Sequence, residues 1–175
     1  MTEIKENIDT QIPEEVLVVL AFGSNIGNRR KNIKRAINLL HESNLLNSTK
    51  ISSFYETEPV GVQNQDWYLN TALTGKTTMP LYNLMELCKS IEYSIGRKSR
   101  ERWAPREIDI DIIFYGYTQF ETANLTVPHK RMHERKFVLQ PIAEIAGTLL
   151  HPKLNKTINQ LLEECPDKSE VRKII

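Results

Sequence analysis

The stretch Ile108-Asp109-Ile110-Asp111-Ile112 alternates apolar and acidic residues without a break. Side chains of a β-strand point to opposite faces in turn, so a strand here sets three isoleucines on one face and both aspartates on the other. The isoleucines need a core to pack against, and the carboxylates, with Cα atoms about 6.6 Å apart, share the opposite side. Two solvated acids on a half-exposed strand satisfy this pattern. So does a pair that holds Mg²⁺, a hard cation that takes oxygen ligands and bridges to substrate phosphates.

The rest of the chain supplies the other layers of such a sheet. Val16 to Phe22 is apolar on both faces and reads as a buried strand, followed by the turn residues Gly23, Ser24, Asn25, Ile26, Gly27 and Asn28. Asn28 then predicts an N-cap, because Ile33, Ala36, Ile37 and Leu40 recur at i, i+3, i+4 and i+7 behind a basic outer face. Strands are expected around Ile51 to Thr57 and Tyr68 to Thr74. A second helix should follow Thr78, with Pro80 in its first turn, Leu81, Leu84, Cys88, Ile91 and Ile95 along one stripe and Gly96 at its C-terminal end. The order strand, helix, strand, strand, helix, strand, closing at Ile108 to Tyr115, predicts an α+β fold. Its core is a ferredoxin-like β-α-β-β-α-β unit with extra strands, and short C-terminal helices should cover an end of the sheet. One domain over residues 16–175 fits a 175-residue chain, and residues 1–15, polar and without a sustained period, read as a flexible extension.

Charge points to a local anion site. The chain carries 23 basic and 22 acidic residues, too balanced for a surface built along a nucleic-acid backbone. Yet Arg97, Lys98, Arg100, Arg102 and Arg106 crowd together just before the acidic pair, and His129, Lys130, Arg131, His133, Arg135 and Lys136 follow it. Internal salt bridges would account for this clustering, as would a triphosphate site in which metal and guanidinium groups neutralise about four negative charges. Other chemistries lack their signatures. Lys130 stands where an HExxH zinc motif needs Glu, no Gly-Lys-Ser/Thr follows Gly23 and Gly27, and Cys88 and Cys165 have no metal-ligand spacing and read as free thiols. No apolar run approaches the roughly 20 residues of a membrane span, so a soluble cytoplasmic protein is expected.

Several segments, in order, resemble one family. They are Gly23-Ser24-Asn25, Ser53 to Gly61 (SFYETEPVG), Tyr68-Leu69-Asn70, Glu101 to Arg106 (ERWAPR) with Asp109 and Asp111, and Val127-Pro128-His129 through Met132 to Arg135 and Phe137. Together, over about Val16 to Ala146, they are similar to the 6-hydroxymethyl-7,8-dihydropterin pyrophosphokinases of folate biosynthesis. The resemblance implies transfer of pyrophosphate from ATP to a pterin alcohol with release of AMP, assisted by two Mg²⁺ ions on Asp109 and Asp111. It implies phosphate contacts from Arg97, Arg106, His129 and Arg135, and places Glu92, Ile112 and Thr126 near the nucleotide. Arg102 and Trp103 fall on the family's mobile loop, which would close over both substrates. Tyr68 and Phe137 match the aromatic pair around the pterin, Asn70 and Thr57 match groups that read its edge, and Val60 matches a pocket-lining residue. Lys130 and Asn124 depart from the family's commoner residues.

Phosphoryl-type transfer needs alignment and charge neutralisation more than a protein nucleophile, so paired Asp, Mg²⁺ and several Arg suffice. The same topology hosts RNA-binding modules, but an Asp pair on the working strand would repel a nucleic-acid backbone, and no aromatic-rich RNA-binding strand is evident. A metal-dependent nuclease would use the acidic pair but not the pterin-pocket motifs. ATP and pterin are therefore the expected partners, with no nucleic acid or membrane, for a stand-alone enzyme. The loop from Lys98 to Pro105, dense in like charges, is expected to be mobile without substrates and to order when both bind.

Overall fold

The computed structural model describes residues 14–59, 66–98 and 104–174. The expectations for Val60, Arg100, Arg102, Trp103 and most of the N-terminal segment lie outside these residues. The elements are β1 (Val16–Ser24), α1 (Arg29–Glu42), β2 (Asn47–Ile51), β3 (Phe54–Thr57), β4 (Tyr68–Thr77), α2 (Leu81–Ser94) and β5 (Asp109–Tyr115). After them come the short pair β6 (Phe120–Glu121) and β7 (Thr126–Val127), a 3-10 turn at Met132–Glu134, α3 (Lys136–Ala146), α4 (Ile158–Glu163) and β8 (Val171–Ile174). The main sheet runs β5-β1-β4-β3-β8, with β2 also paired to β4, and each of these pairings is antiparallel. This is the expected α+β, ferredoxin-like order with added strands.

The helices form where their sequence directs. The Asn28 side chain accepts the Lys31 N–H at 3.0 Å, satisfying one of the donors that a helix start leaves open, and Ile33, Ala36, Ile37 and Leu40 are all buried. Pro80 sits at the N-cap of α2, one position before the first turn where it was expected. Gly96 follows the last turn with φ +102°, a backbone conformation that side-chain-bearing residues rarely adopt. Both helices cover one face of the sheet, where Val18, Leu20, Phe22, Ile108, Ile110 and Ile112 meet Ile33, Leu40, Leu84 and Ile91.

Four details differ from the sequence expectations. The single strand predicted over 51–57 is two, because the Ser52 hydroxyl takes the Ala72 N–H at 2.9 Å and also meets the Thr71 hydroxyl at 2.9 Å. A side chain that captures a ladder donor interrupts pairing, so β2 and β3 both lie on β4 as separate strands. In β5 the alternation breaks after Ile112: Val19 pairs Phe114 while Leu20 pairs Ile112, leaving Ile113 as an extra residue. That bulge turns Phe114 away from the isoleucine face, and Ile113 and Phe114 enter a second core with Val19, Ala72, Val138, Leu139 and Ile142. The C-terminal helices therefore cover part of the sheet's opposite face, rather than an end of it. Glu15, assigned to the flexible extension, is tied down, its carboxylate accepting the Asn47 amide N–H at 2.6 Å and lying 3.3 Å from Lys76.

Because α3 is held on the sheet by this second core, Ile142→Ala should cost about 2–5 kcal/mol, as fully buried aliphatic truncations do. Ile142 is completely buried. Urea denaturation should show a lower midpoint with an unchanged slope, whereas the exposed Lys34→Ala should stay within about 0.5 kcal/mol of wild type.

Candidate active site

α3 and α4 leave the end of the second sheet face beside Asp109 uncovered, and side chains from three strands form its floor. Register places Asn70 and Asp109 on either side of Gly23, and Ala72 and Asp111 on either side of Ala21. Gly23 and Ala21 keep this floor low. A Cβ at Gly23 would lie 3.1 Å from the Asn70 Oδ1, tighter than side chains usually pack, so glycine there lets Asn70 approach without moving. Asn70 and Thr57 are both buried and joined by an Asn70 Nδ2–H to Thr57 Oγ1 bond of 2.7 Å. The Ser24 hydroxyl donates to the Glu107 carbonyl at 2.6 Å, and the Arg106 N–H donates to Asn25 Oδ1 at 2.8 Å. These bonds hold the basic segment against the turn after β1.

The two aspartates have different surroundings. Asp109 is bracketed by two guanidinium groups, Arg97 Nη1 on Oδ1 at 2.8 Å and Arg106 Nη1 on Oδ2 at 2.6 Å. Arg97 also contacts Glu92, which is 2% exposed and accepts the Ile110 N–H at 2.7 Å. Glu92 reaches neither cavity described below; it fastens α2 to β5 and holds Arg97, while its burial raises its carboxyl above the ordinary range. The Asp111 carboxylate has no hydrogen bond or ion pair among the described residues. Burial, reinforced by the neighbouring Asp109, pushes its carboxyl up to about 7.

Two cavities adjoin here, one on this floor and the other around the edge of β5 toward α2. One, of about 480 Å³, is lined by Thr57, Tyr68, Asn70, Arg106, Asp109, Arg135 and Phe137, together with Gly23, Arg131, Glu134 and Asp167. The other, of about 240 Å³, is bounded by Cys88, Lys89, Ile110, Ile112, Leu125, Thr126 and Lys130, with Asn124 at its edge. Asp111 and His129 line both. Residues matched to the pterin thus gather in the first cavity, while Ile112 and Thr126, matched to the nucleotide, lie in the second. Arg135 has no ion pair among the described residues and stands 5.8 Å from the Phe137 ring centre. His129 donates its backbone N–H to the Ile113 carbonyl at 3.0 Å, and its Nδ1 accepts the Arg131 N–H at 3.4 Å. Burial and the neighbouring Arg135 bring its ring down to about 4, so it is neutral near pH 7 with its proton on Nε2.

Asp109 and Asp111 suit a magnesium ion: both are hard oxygen donors on one face, and Asp111 has no competing protein partner. Among the described residues no group of three His, Cys, Asp or Glu could hold a metal by itself. That fits an ion which keeps waters and completes its shell with phosphate oxygens. Lys89, Glu134 and Asp167 escaped the sequence reading, whereas Arg131 belongs to the second basic cluster that it named. Lys89 had a local signal in its i, i+3 spacing to Glu92, which its Nζ meets at 3.2 Å, whereas Asp167 reaches the site only through the path of the C-terminal tail.

The model of the 7,8-dihydro-6-hydroxymethylpterin-pyrophosphokinase family matches residues 19–147. The 2-amino-4-hydroxy-6-hydroxymethyldihydropteridine pyrophosphokinase of Bacillus subtilis is 45% identical over 129 residues, covering 74% of this chain and 77% of that protein. The protein of the same name from Aquifex aeolicus is 39% identical, covering 84% of this chain and 91% of its own. The mitochondrial folate synthesis bifunctional protein of Arabidopsis thaliana is 41% identical over 75% of this chain, which spans only 24% of it. Among solved structures, wild-type Plasmodium falciparum HPPK-DHPS superposes with a TM-score of 0.68 at 15% identity, over 86% of this chain and 45% of that one, a likeness of fold.

The raised Asp111 carboxyl has a consequence for stability. Its ordinary value is 3.8, so between about pH 4 and 7 the folded chain keeps a proton that the unfolded chain releases, and stability falls as pH rises through that window. Asp111→Asn removes the penalty. It should stabilise the protein by about 1–3 kcal/mol at pH 8 and by almost nothing at pH 4. Urea titrations at both pH values check this; an equal effect at each would place the carboxyl in water.

Proposed function

The chain belongs to the 7,8-dihydro-6-hydroxymethylpterin-pyrophosphokinase family, and from that premise we propose how its residues transfer pyrophosphate from ATP to 6-hydroxymethyl-7,8-dihydropterin in folate biosynthesis. The observation that carries the assignment is that Asp111 and His129 line both cavities, so a group bound between them faces an acceptor on one side and a nucleotide on the other.

The larger cavity takes the pterin. Tyr68 and Phe137 grip the flat ring. Asn70 donates to Thr57, which leaves the Asn70 carbonyl oxygen to accept from the ring edge and the Thr57 hydroxyl proton to be donated there. The smaller cavity takes the nucleotide, with Ile110, Ile112 and Leu125 supplying apolar contact and Thr126, Asn124 and Lys130 at its rim. The triphosphate then crosses the Asp111–His129 junction. There Arg135 and Arg106 neutralise its charge, and neutral His129 donates from Nε2. Magnesium on Asp109 and Asp111, two ions in the reading proposed here, supplies charge neutralisation and alignment of the triphosphate. Arg97 and Arg106 fix Asp109, so the acidic pair does not turn as the substrates enter. No protein nucleophile is needed, because holding the hydroxymethyl oxygen in line with the β-phosphorus turns an encounter into a positioned reaction.

An RNA-binding role has no support in the relatives, and α3 covers part of the sheet face that such a module would use. No described helix is long and apolar enough to cross a membrane.

Incubation with ATP, Mg²⁺ and the reduced pterin alcohol should yield AMP and the pterin pyrophosphate; ADP as the nucleotide product would reject the reaction. Asp109→Ala and Asp111→Ala should each remove nearly all turnover while circular dichroism shows the fold intact. Folded variants with wild-type rates in magnesium would refute the metal role. Phe137→Ala should weaken pterin binding about 5–150-fold, the equivalent of one aromatic stacking contact, and leave an ATP analogue's affinity nearly unchanged. Calorimetric titration of each ligand separates ring recognition from general damage.

A further inference from the structure

α3 begins at the rim of the pterin cavity, and its first turn carries Phe137. Its N-cap residue, Arg135, makes no side-chain capping bond. The cap comes instead from a residue 31 positions later: Asp167 Oδ2 accepts the Lys136 N–H at 3.0 Å, while Asp167 Oδ1 accepts the Ser169 N–H at 2.9 Å. Asp167 itself lines the cavity. The tail that carries it is anchored at both ends. Cys165 is buried in the second core with α3 and α4, and β8 pairs with β3, setting Val171 opposite Thr57. Just before β8, the Glu170 carbonyl accepts the Glu58 N–H at 3.3 Å, at the point where the chain leaves β3 along the cavity wall.

We propose that Asp167 is a positioning residue for pterin recognition: the tail from Cys165 to Val171 buckles the first turn of α3 to the end of β3, and the Asp167 cap sets where Phe137 stands relative to Thr57. This rests on the assignment of Phe137 and Thr57 to the pterin cavity. The cap bonds only main-chain donors, so the side chain acts through the helix it holds. Its loss frees the first turn of α3 and widens the slot into which the ring slides. The smaller cavity contains no residue of this tail, and the nucleotide meets α3 only through Arg135 at its N-cap, so nucleotide binding suffers less than pterin binding.

Calorimetric titration of the full chain with the pterin alcohol, and separately with a non-hydrolysable ATP analogue, tests the proposal. Asp167→Ala should weaken pterin binding about 2–30-fold, the range that loss of a helix cap corresponds to, with the ATP analogue changed less than about twofold. Lys136→Pro removes the capped N–H at a helix position that favours proline, after an Arg135 whose backbone is already extended, and should reproduce the loss without touching Asp167. In a Phe137→Ala background the Asp167→Ala loss should vanish, because the ring contact it positions is gone. Equal losses for both ligands, or an undiminished further loss of pterin affinity in the Phe137→Ala background, would overturn the proposal. Undiminished pterin affinity in Phe137→Ala alone would overturn the cavity assignment instead.

Discussion

Two carboxylates on one face of a strand, with a packed sheet beneath them, are the constraint from which the other features of this site follow. Each ionised group loses hydration there and repels its neighbour, so the fold must neutralise at least one of them. Asp109 is neutralised from both sides by Arg97 and Arg106, and Arg97 is in turn held by Glu92 at the buried contact of α2 with β5. Asp111 has no such ion pair among the described residues, and Lys89 and Arg135 ease its charge only from a distance. The protein thus carries a destabilising carboxylate where an incoming cation would relieve it, and binding and folding are set against each other at that position.

Room for chemistry comes from incomplete coverage of the sheet. α1 and α2 close most of one face, leaving the smaller cavity at the edge of β5, while α3 and α4 close only part of the other. The bulge at Ile113 makes this division possible. It lets a single strand feed Ile110 and Ile112 to the first core, Ile113 and Phe114 to the second, and two carboxylates to the open stretch between β5 and the tail. Small residues on β1, Ala21 and Gly23, then keep the floor clear between Asp109 and Asp111 on one side and Asn70 and Ala72 on the other.

The arrangement also shows why this topology alone does not name a function. A ferredoxin-like sheet can serve as an open platform for single-stranded RNA, whereas here the equivalent face is part core and part acidic cavity. In the function proposed here, the arginines would neutralise one anion at one junction, with neutral His129 offering a hydrogen bond, in a chain whose basic and acidic residues are otherwise nearly balanced.

Much of this was legible in the sequence because it is encoded locally. Periodicity places Ile33, Ala36, Ile37 and Leu40 on one stripe of α1, and strict alternation sets Asp109 and Asp111 on one face of β5. Their chemistry follows from residue type. The break at Ser52, the bulge at Ile113 and the face chosen by α3 were not legible, since each depends on a partner strand that local spacing does not specify. The different states of the two aspartates were hidden for the same reason. Asp109 and Asp111 are chemically identical in the chain, and only the folded structure brings two guanidinium groups to the first and none to the second among the described residues. Asp167 shows the limit most clearly: nothing in its neighbours marks it, and it meets Lys136 because the tail must cross the sheet's open face to pair β8 with β3. The sequence by itself determined which groups the site contains, through patterns a few residues long. Tertiary structure alone decided which of them touch, because long-range pairing sets the local charge, burial and hydrogen bonding on which their chemistry depends.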